Sequence, residues 1–217
     1  MENKMIIFDA DGTLLDNQRN GLMGGFKDIL VGLGKEKEVL AIDEEYQRRK
    51  HLGPWGLEQL AILYKGFSKS ELDEASLKYV RETLRPDASE CLRVLKMRCF
   101  IIGVISSGPQ FIMDVLSRIL GMDFADGTRL EFINGKSTGK IKKKVDRYVK
   151  AEILKGKMRE YVAERNDVIV VGDSITDLPM AELAGKFIAF QPREDAVREK
   201  ADIIIKNLND LLKKGLL

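Results

Sequence analysis

Two short clusters of aspartates contain the residues of this chain whose types and spacing could do chemistry. Asp9 and Asp11 stand two positions apart directly after an apolar run, and Asp173 and Asp177 follow another apolar run. Carboxylates brought close together repel one another unless a cation neutralises them. A site built from carboxylate oxygens suits Mg²⁺, which keeps part of its water shell and readily binds phosphate groups. The residue types therefore predict a magnesium site that serves phosphoryl transfer.

The spacing of the first pair suggests how its two carboxylates would divide the reaction. Asp9, at the end of a strand, could attack phosphorus and form an aspartyl phosphate. Asp11 would point to the same side of an extended segment, where it could protonate the leaving oxygen and then activate water. Either cluster alone could be a turn or a helix cap after a strand. Both clusters in one chain, each after a buried strand, favour a catalytic site.

Five short apolar runs predict the strands that position these clusters. They are rich in β-branched residues and do not alternate, as is typical of strands buried on both faces of a parallel sheet. Their ranges are 4–8, 100–105, 167–171, 186–190 and 201–205. Helical patterns occupy 87–97, 110–120, 142–165, 179–184 and 209–214. This order predicts an α/β fold with a doubly wound, Rossmann-like parallel sheet, whose carboxyl edge would gather the polar clusters.

The stretch between the first strand and residue 87 has a different character. It lacks β-branched runs and reads as four helices, at 20–31, 36–50, 55–65 and 69–84. We therefore expect a helical cap domain at 17–86, inserted into a core domain that comprises 1–16 and 87–217. In the core, residues 124–141 alternate in polarity around Asn134-Gly135, which predicts a β-hairpin.

Three motifs and the chain's tail resemble the haloacid dehalogenase (HAD) superfamily. The first motif is FDADGTLLD at 8–16, the second is the strand ending VISSG at 104–108, and the fourth is GDSITDLPM at 172–180. The third motif of that superfamily is a lysine. Lys150, within VKAEIL at 149–154, is the best match because this segment resembles the one in phosphoserine phosphatases, as does the tail at 186–213. Lys140 and the lysines at 142–144 are weaker candidates.

The resemblance implies roles for the aspartates. Asp9 would be the nucleophile and a Mg²⁺ ligand, and Asp11 the general acid and base, with its backbone carbonyl on the metal. Asp173 would ligate Mg²⁺, and Asp177 would support that site or orient Lys150. Dehalogenases of the superfamily typically lack the second aspartate, so the resemblance favours a magnesium-dependent phosphatase with an aspartyl-phosphate intermediate.

The resemblance also implies substrate contacts. Ser106 and Lys150 would hold the phosphoryl oxygens, with Ser107 beside them. Phosphoserine enzymes carry a Glu early in the cap, and the corresponding residue here is Gln18. A neutral amide binds an ammonium group less well than a carboxylate does. The substrate is therefore a small phosphorylated metabolite of open identity: a sugar phosphate, phosphoserine, a nucleotide or phosphoglycolate.

Composition sets bounds on partners and location. The chain has 36 Lys and Arg against 34 Asp and Glu, a formal charge of +2, which does not indicate a nucleic-acid or membrane protein. Two cysteines at non-CxxC spacing are expected to be reduced thiols. No apolar stretch approaches the ~20 residues that span a bilayer, so we expect a soluble, cytoplasmic protein. The sequence leaves its oligomeric state open.

Two alternatives remain at this point. The same chemistry could pass the phosphoryl group to an alcohol, as in a phosphotransferase or mutase. The chain could also be a non-catalytic module that only binds phosphate, although such a module has no need for a general acid.

Overall fold

A computed structural model describes residues 4–16, 24–49 and 55–217. Its centre is a seven-stranded sheet in the order β4-β3-β2-β1-β5-β6-β7. Six strands run parallel, and β4 lies antiparallel at one edge. The strands are β1 Met5–Phe8, β2 Ile101–Pro109, β3 Phe124–Ile133, β4 Lys136–Lys143, β5 Val168–Gly172, β6 Lys186–Phe190 and β7 Ile203–Ile205. The predicted α/β fold with a doubly wound parallel sheet is confirmed.

The central strands explain why the two aspartate clusters meet. All four residues of β1 and all five of β5 are buried, as their unbroken apolar runs predicted. Phe8 pairs with Val104 on one side and with Val171 on the other. The carboxyl ends of β1, β2 and β5 are therefore level, and the residues that follow each strand face the same edge of the sheet.

The five predicted strands are all present, and two differences concern β2 and β3. β2 continues past residue 105 to Pro109, which brings Ser106 and Ser107 into the strand. The predicted hairpin is confirmed as β3 and β4, and its turn residues Asn134 and Gly135 both have positive φ, as a type I′ turn requires. β3 also extends the parallel sheet beside β2, a pairing that its polar alternation did not indicate.

Helices cover both faces of the sheet. In the core they are α5 Ala88–Met97, α6 Gln110–Leu120, α7 Arg147–Glu160, α8 Leu178–Ala181 and α9 Asp195–Lys200, with 3₁₀ turns at Arg165–Asp167 and Leu208–Leu212. The predicted helix at 142–165 was wrong at both ends, because residues 142 and 143 continue β4 and α7 already ends at Glu160. The Asp146 carboxylate accepts hydrogen bonds from the amides of Tyr148 and Val149, and this N-cap fixes where α7 begins. The predicted helix at 209–214 is the second 3₁₀ turn.

Among the described residues between β1 and α5 there are four helices: α1 Gly25–Gly32, α2 Glu36–Arg49, α3 Leu57–Leu63 and α4 Lys69–Thr83. We call these four the helical insert. Ser68 and Glu71 form a capping box that starts α4. The insert is attached to the hairpin, since the Gly66 amide donates to the Ser137 carbonyl (2.8 Å) and the Ser137 amide to the Phe67 carbonyl (2.8 Å). Its buried side chains continue the apolar cluster on one face of the sheet.

Within the described ranges, no helix has the length and apolar character that a membrane crossing would need.

Candidate active site

A buried lysine joins two of the predicted aspartates at the carboxyl edge of the sheet. The Lys150 ammonium, on α7, donates to Asp9 Oδ1 (2.7 Å) and to Asp177 Oδ1 (2.8 Å). Lys150 is 1% exposed, Asp9 4% and Asp177 0%. A charged group is buried at this depth only when it is paired. Among the lysines that the sequence left in competition, Lys150 is therefore the one that contacts both aspartate clusters.

The loop after β5 fixes Asp177 through its own backbone. Asp177 Oδ2 accepts the amides of Asp173 (3.1 Å) and Ser174 (3.2 Å). Gly172 permits this turn, because a Cβ there would lie 2.5 Å from the Asp177 carboxyl carbon. Both oxygens of Asp177 thus have donors, one from Lys150 and one from the loop. These contacts support the expected role of Asp177 in orienting Lys150.

The residues fit a divalent cation. One carboxylate oxygen from each of Asp9, Asp173 and Asp177 lies within 4.8 Å of the others. Asp173 is 1% exposed, and its Oδ1 has no hydrogen-bond partner among the described residues. Its Oδ2 is paired with Arg193. A buried, unpartnered carboxylate oxygen beside other carboxylates is the donor that a hard cation would take.

Burial sets the electrostatics of this cluster. It raises the pKa of Asp9 to about 8, with the charge of Asp177 adding to the shift and the Lys150 ammonium opposing it. Burial likewise raises the pKa of Asp173 to about 7 against the influence of Arg193. Burial by itself would lower the pKa of Lys150, but the charges of Asp177 and Asp9 outweigh it and raise that pKa. A pocket that resists further negative charge in this way favours a bound cation.

Asp11 is turned towards the helical insert. Its Oδ1 accepts the Tyr79 hydroxyl (3.3 Å) and its Oδ2 accepts the Gly25 amide (3.3 Å). The same Tyr79 hydroxyl opposes the rise in the pKa of Asp28, on α1. Burial, together with the charge of Asp11, raises the pKa of Asp28 to about 7. The predicted acid–base residue therefore contacts two elements of the insert.

The two serines after residue 105 take different positions. Ser106 is 2% exposed, and its Oγ accepts the Gly108 amide (3.1 Å). Ser107 is half-buried, and its carbonyl accepts the Thr128 hydroxyl (2.9 Å). A Cβ on Gly108 would lie 3.2 Å from Asp11 Oδ2 and 3.3 Å from Ser106 Oγ. Ser106 Oγ and Asp11 Oδ2 thus both lie close to Gly108.

Sequence reasoning did not identify two arginines that hold the site. Arg193, in the loop after β6, pairs with Asp173. Arg85, between α4 and α5, donates to the carbonyls of Thr13 (2.8 Å) and Gly12 (3.1 Å) and stacks over the Phe190 ring. Neither lies in one of the three motifs. Arg85 stands more than 70 residues after Gly12 and Thr13, and Arg193 stands 20 residues after Asp173, so local spacing carried no signal for them. The predicted Gln18 lies outside the described residues.

A protein-family model agrees with this arrangement. The model of haloacid dehalogenase-like hydrolases matches residues 3–185. The chain belongs to this family. The predictions of a HAD-type hydrolase that resembles phosphoserine phosphatases, and of a phosphoric monoester hydrolase, are confirmed.

Relatives of this HAD-family chain extend the agreement over nearly all of its length. It is 32% identical over 213 residues to a phosphoserine phosphatase of Archaeoglobus fulgidus, covering 96% of this chain and 58% of that protein. It is 30% identical over 219 residues to the phosphoserine phosphatase of Methanocaldococcus jannaschii, covering 98% and 97% of the two chains. A solved structure described as a phospho-aspartyl intermediate analogue of phosphoserine phosphatase superposes with a TM-score of 0.77 at 28% identity, covering 98% of both chains.

Proposed function

We propose that this chain is a magnesium-dependent phosphatase that hydrolyses a small-molecule phosphate monoester through an aspartyl phosphate on Asp9. The observation that carries the proposal is the buried Lys150 ammonium between Asp9 and Asp177, beside an unpartnered oxygen of Asp173. Phosphoryl transfer to a carboxylate requires a nucleophilic carboxylate, a fixed positive charge, and an oxygen that is available to bind a metal ion.

Asp9 and Asp173, with the backbone carbonyl of Asp11, would hold the metal ion. When bound, Mg²⁺ supplies positive charge that neutralises the transferring phosphoryl oxygens and the surrounding carboxylates. Asp177 would keep Lys150 directed at the phosphoryl group, since its own oxygens already accept hydrogen bonds from Lys150 and the loop. This division explains why four aspartates can share one site.

The chain's residues would act in two steps. An Asp9 carboxylate oxygen attacks phosphorus, the ester P–O bond breaks, and Asp11 gives a proton to the leaving oxygen. Water then attacks the phosphorus of the aspartyl phosphate while Asp11 takes its proton, and the bond between Asp9 and phosphorus breaks. Lys150 would bind the equatorial oxygens throughout, with Ser106 and Ser107 as further contacts. The helical insert would act as a cap that excludes water.

The proposed substrate class rests on the names of the relatives and on the residue at position 18. Both archaeal relatives are named phosphoserine phosphatases, so phosphoserine is one candidate. Gln18 replaces the acidic residue that we expect in such enzymes, so other small phosphorylated metabolites belong in the same test. A cytoplasmic location, with neither nucleic acid nor membrane as partner, remains part of the proposal.

The test measures phosphate release from an aryl phosphate and from a panel of phosphorylated metabolites, with Mg²⁺ and with EDTA. Wild type should release phosphate only with metal, and Asp9→Asn should abolish it. Asp195→Asn, the same chemical change at a side chain 96% exposed, should leave the rate unchanged. Activity retained in Asp9→Asn would refute the nucleophile. Transfer of the phosphoryl group to an added alcohol, detected as a phosphorylated product, would favour a phosphotransferase.

A further inference from the structure

The Asp11 carboxylate is held by the helical insert at both of its oxygens. The hydroxyl donor belongs to Tyr79 on α4, and the amide donor belongs to Gly25 at the start of α1. Both distances are 3.3 Å. Asp11 itself follows β1 of the core, so both contacts join the core to the insert. The orientation of this side chain is therefore coupled to the insert.

The two donors are themselves fixed by packing. Tyr79 is 7% exposed, and its backbone carbonyl accepts the Thr83 hydroxyl at 2.7 Å. Gly25 has no side chain, and a Cβ there would clash with Ile112 of α6 and lie 3.4 Å from the Tyr79 ring. Glycine at this position lets the first turn of α1 approach both α6 and Tyr79 closely enough to reach Asp11.

A general acid gains most of its effect from orientation. Its proton must be directed at the leaving oxygen within hydrogen-bond reach, and an unrestrained Asp side chain samples several rotamers. Asp11 Oδ2 lies on the side of Gly108 and Ser106, where the phosphoryl group would bind. Restraint of Oδ1 by Tyr79 therefore sets how Asp11 is presented to the substrate.

We propose that Tyr79 is a positioning residue for Asp11, acting with the Gly25 amide to orient the acid for leaving-group protonation. This inference deepens the proposed function and rests on it. The inference depends on the contacts of Tyr79, which lies outside the motifs that indicated the family. Tyr79 does not touch the reacting atoms, so its effect must depend on how much the leaving group needs a proton.

That dependence gives the test. The variant Tyr79→Phe removes the hydroxyl and keeps the ring. Aryl phosphates with good leaving groups, such as 4-nitrophenyl phosphate, need little protonation, whereas phenyl and alkyl phosphates need a proton as the ester bond breaks. The ratio kcat/KM reports the steps up to departure of the leaving group. In Tyr79→Phe we expect kcat/KM to fall about tenfold for phenyl and alkyl phosphates. For 4-nitrophenyl phosphate we expect kcat/KM to fall about twofold or less.

Tyr64→Phe is the matched control. Tyr64 is a buried tyrosine of the same insert, and its hydroxyl donates to the Phe26 carbonyl at 2.7 Å without contacting Asp11. Its removal should change kcat/KM by the same factor for every leaving group. An equal loss across the ester series in Tyr79→Phe would overturn the inference and leave Tyr79 with a packing role.

A structural readout separates this inference from the proposed function. In crystal structures of wild type and Tyr79→Phe, the inference predicts a changed Asp11 side-chain orientation in the variant. An unchanged orientation would overturn it whether or not the protein is a phosphatase. Failure of wild type to hydrolyse any ester would instead overturn the proposed function, while the crystallographic comparison would still decide the role of Tyr79.

Discussion

Replacement of Lys150 by methionine tests whether its ammonium is what allows Asp9 and Asp177 to be buried together. Methionine has a similar length, so the change removes mainly the charge. The ammonium makes bonds of 2.7 and 2.8 Å to two carboxylates that are at most 4% exposed. Loss of one partner from a buried ion pair costs about 3–5 kcal/mol, because an uncompensated charge remains. We expect a loss in that range at pH 8.

The loss should depend on pH in a defined direction. Lys150 opposes the upward shift in the pKa of Asp9, so its removal raises that pKa further above about 8. An acid whose folded-state pKa is raised contributes stability at low pH that is lost as pH rises through the folded-state value. The destabilisation caused by Lys150→Met should therefore be smallest at pH 5, where Asp9 is protonated with or without Lys150, and should grow as the pH rises to about 8 and beyond.

Urea unfolding in EDTA, at pH 8 and pH 5, measures both quantities. Lys155→Met is the matched control on the same helix, because Lys155 is exposed and pairs with Glu152 one turn away. It should change the free energy of unfolding by no more than about 0.5 kcal/mol at either pH. A loss in Lys150→Met below about 1 kcal/mol, or one that is equal at both pH values, would refute this electrostatic account.

Three further predictions follow from single contacts. Asp28→Asn should raise the melting temperature relative to wild type, and more so at pH 8 than at pH 4. The Asp28 pKa is raised to about 7, so the folded protein is destabilised once this carboxyl group ionises. A change in melting temperature that is the same at both pH values would contradict this prediction. Gly12→Ala should weaken Mg²⁺ binding in calorimetry, since Gly12 has a φ of 90° and a Cβ would clash with the Asp173 carboxylate; unchanged affinity would contradict it. Arg85→Ala should lower kcat and cost about 1–3 kcal/mol of unfolding free energy, because two buried carbonyls lose their donor; wild-type values of both would contradict it.

Much of the fold could be predicted because its strands are short, apolar and buried on both faces. β1 and β5 follow directly from this pattern, and the polar residues after them mark the edge where the site lies. The place of β3 in the parallel sheet was not predicted, because its sequence alternates in polarity and is typical of an isolated hairpin. The start of α7 was misplaced because lysines at 142–144 suit either a helix or an edge strand, and the cap at Asp146 decides between them.

The candidate site was predictable where its residues lie in motifs. Asp9, Asp173 and Asp177 carry spacing signals, and resemblance selected Lys150 from several lysines. The contacts made by Arg193 and Tyr79 could not be predicted, because each joins residues far apart in sequence through tertiary packing. The same is true of the contacts of Asp177, because Lys150 and the loop amides reach its two oxygens only in the folded structure.

The covalent intermediate is the central claim of the proposed function, and the variant Asp11→Asn tests it most directly. With 4-nitrophenyl phosphate, Asp9 should still be phosphorylated because this leaving group needs little protonation, but hydrolysis should slow without the base. We predict a burst of nitrophenolate equal to the enzyme concentration, and peptide mapping after acid quench that places one phosphoryl group on Asp9. Turnover without a burst and without a phosphorylated protein, or a phosphoryl group on another residue, would contradict the account.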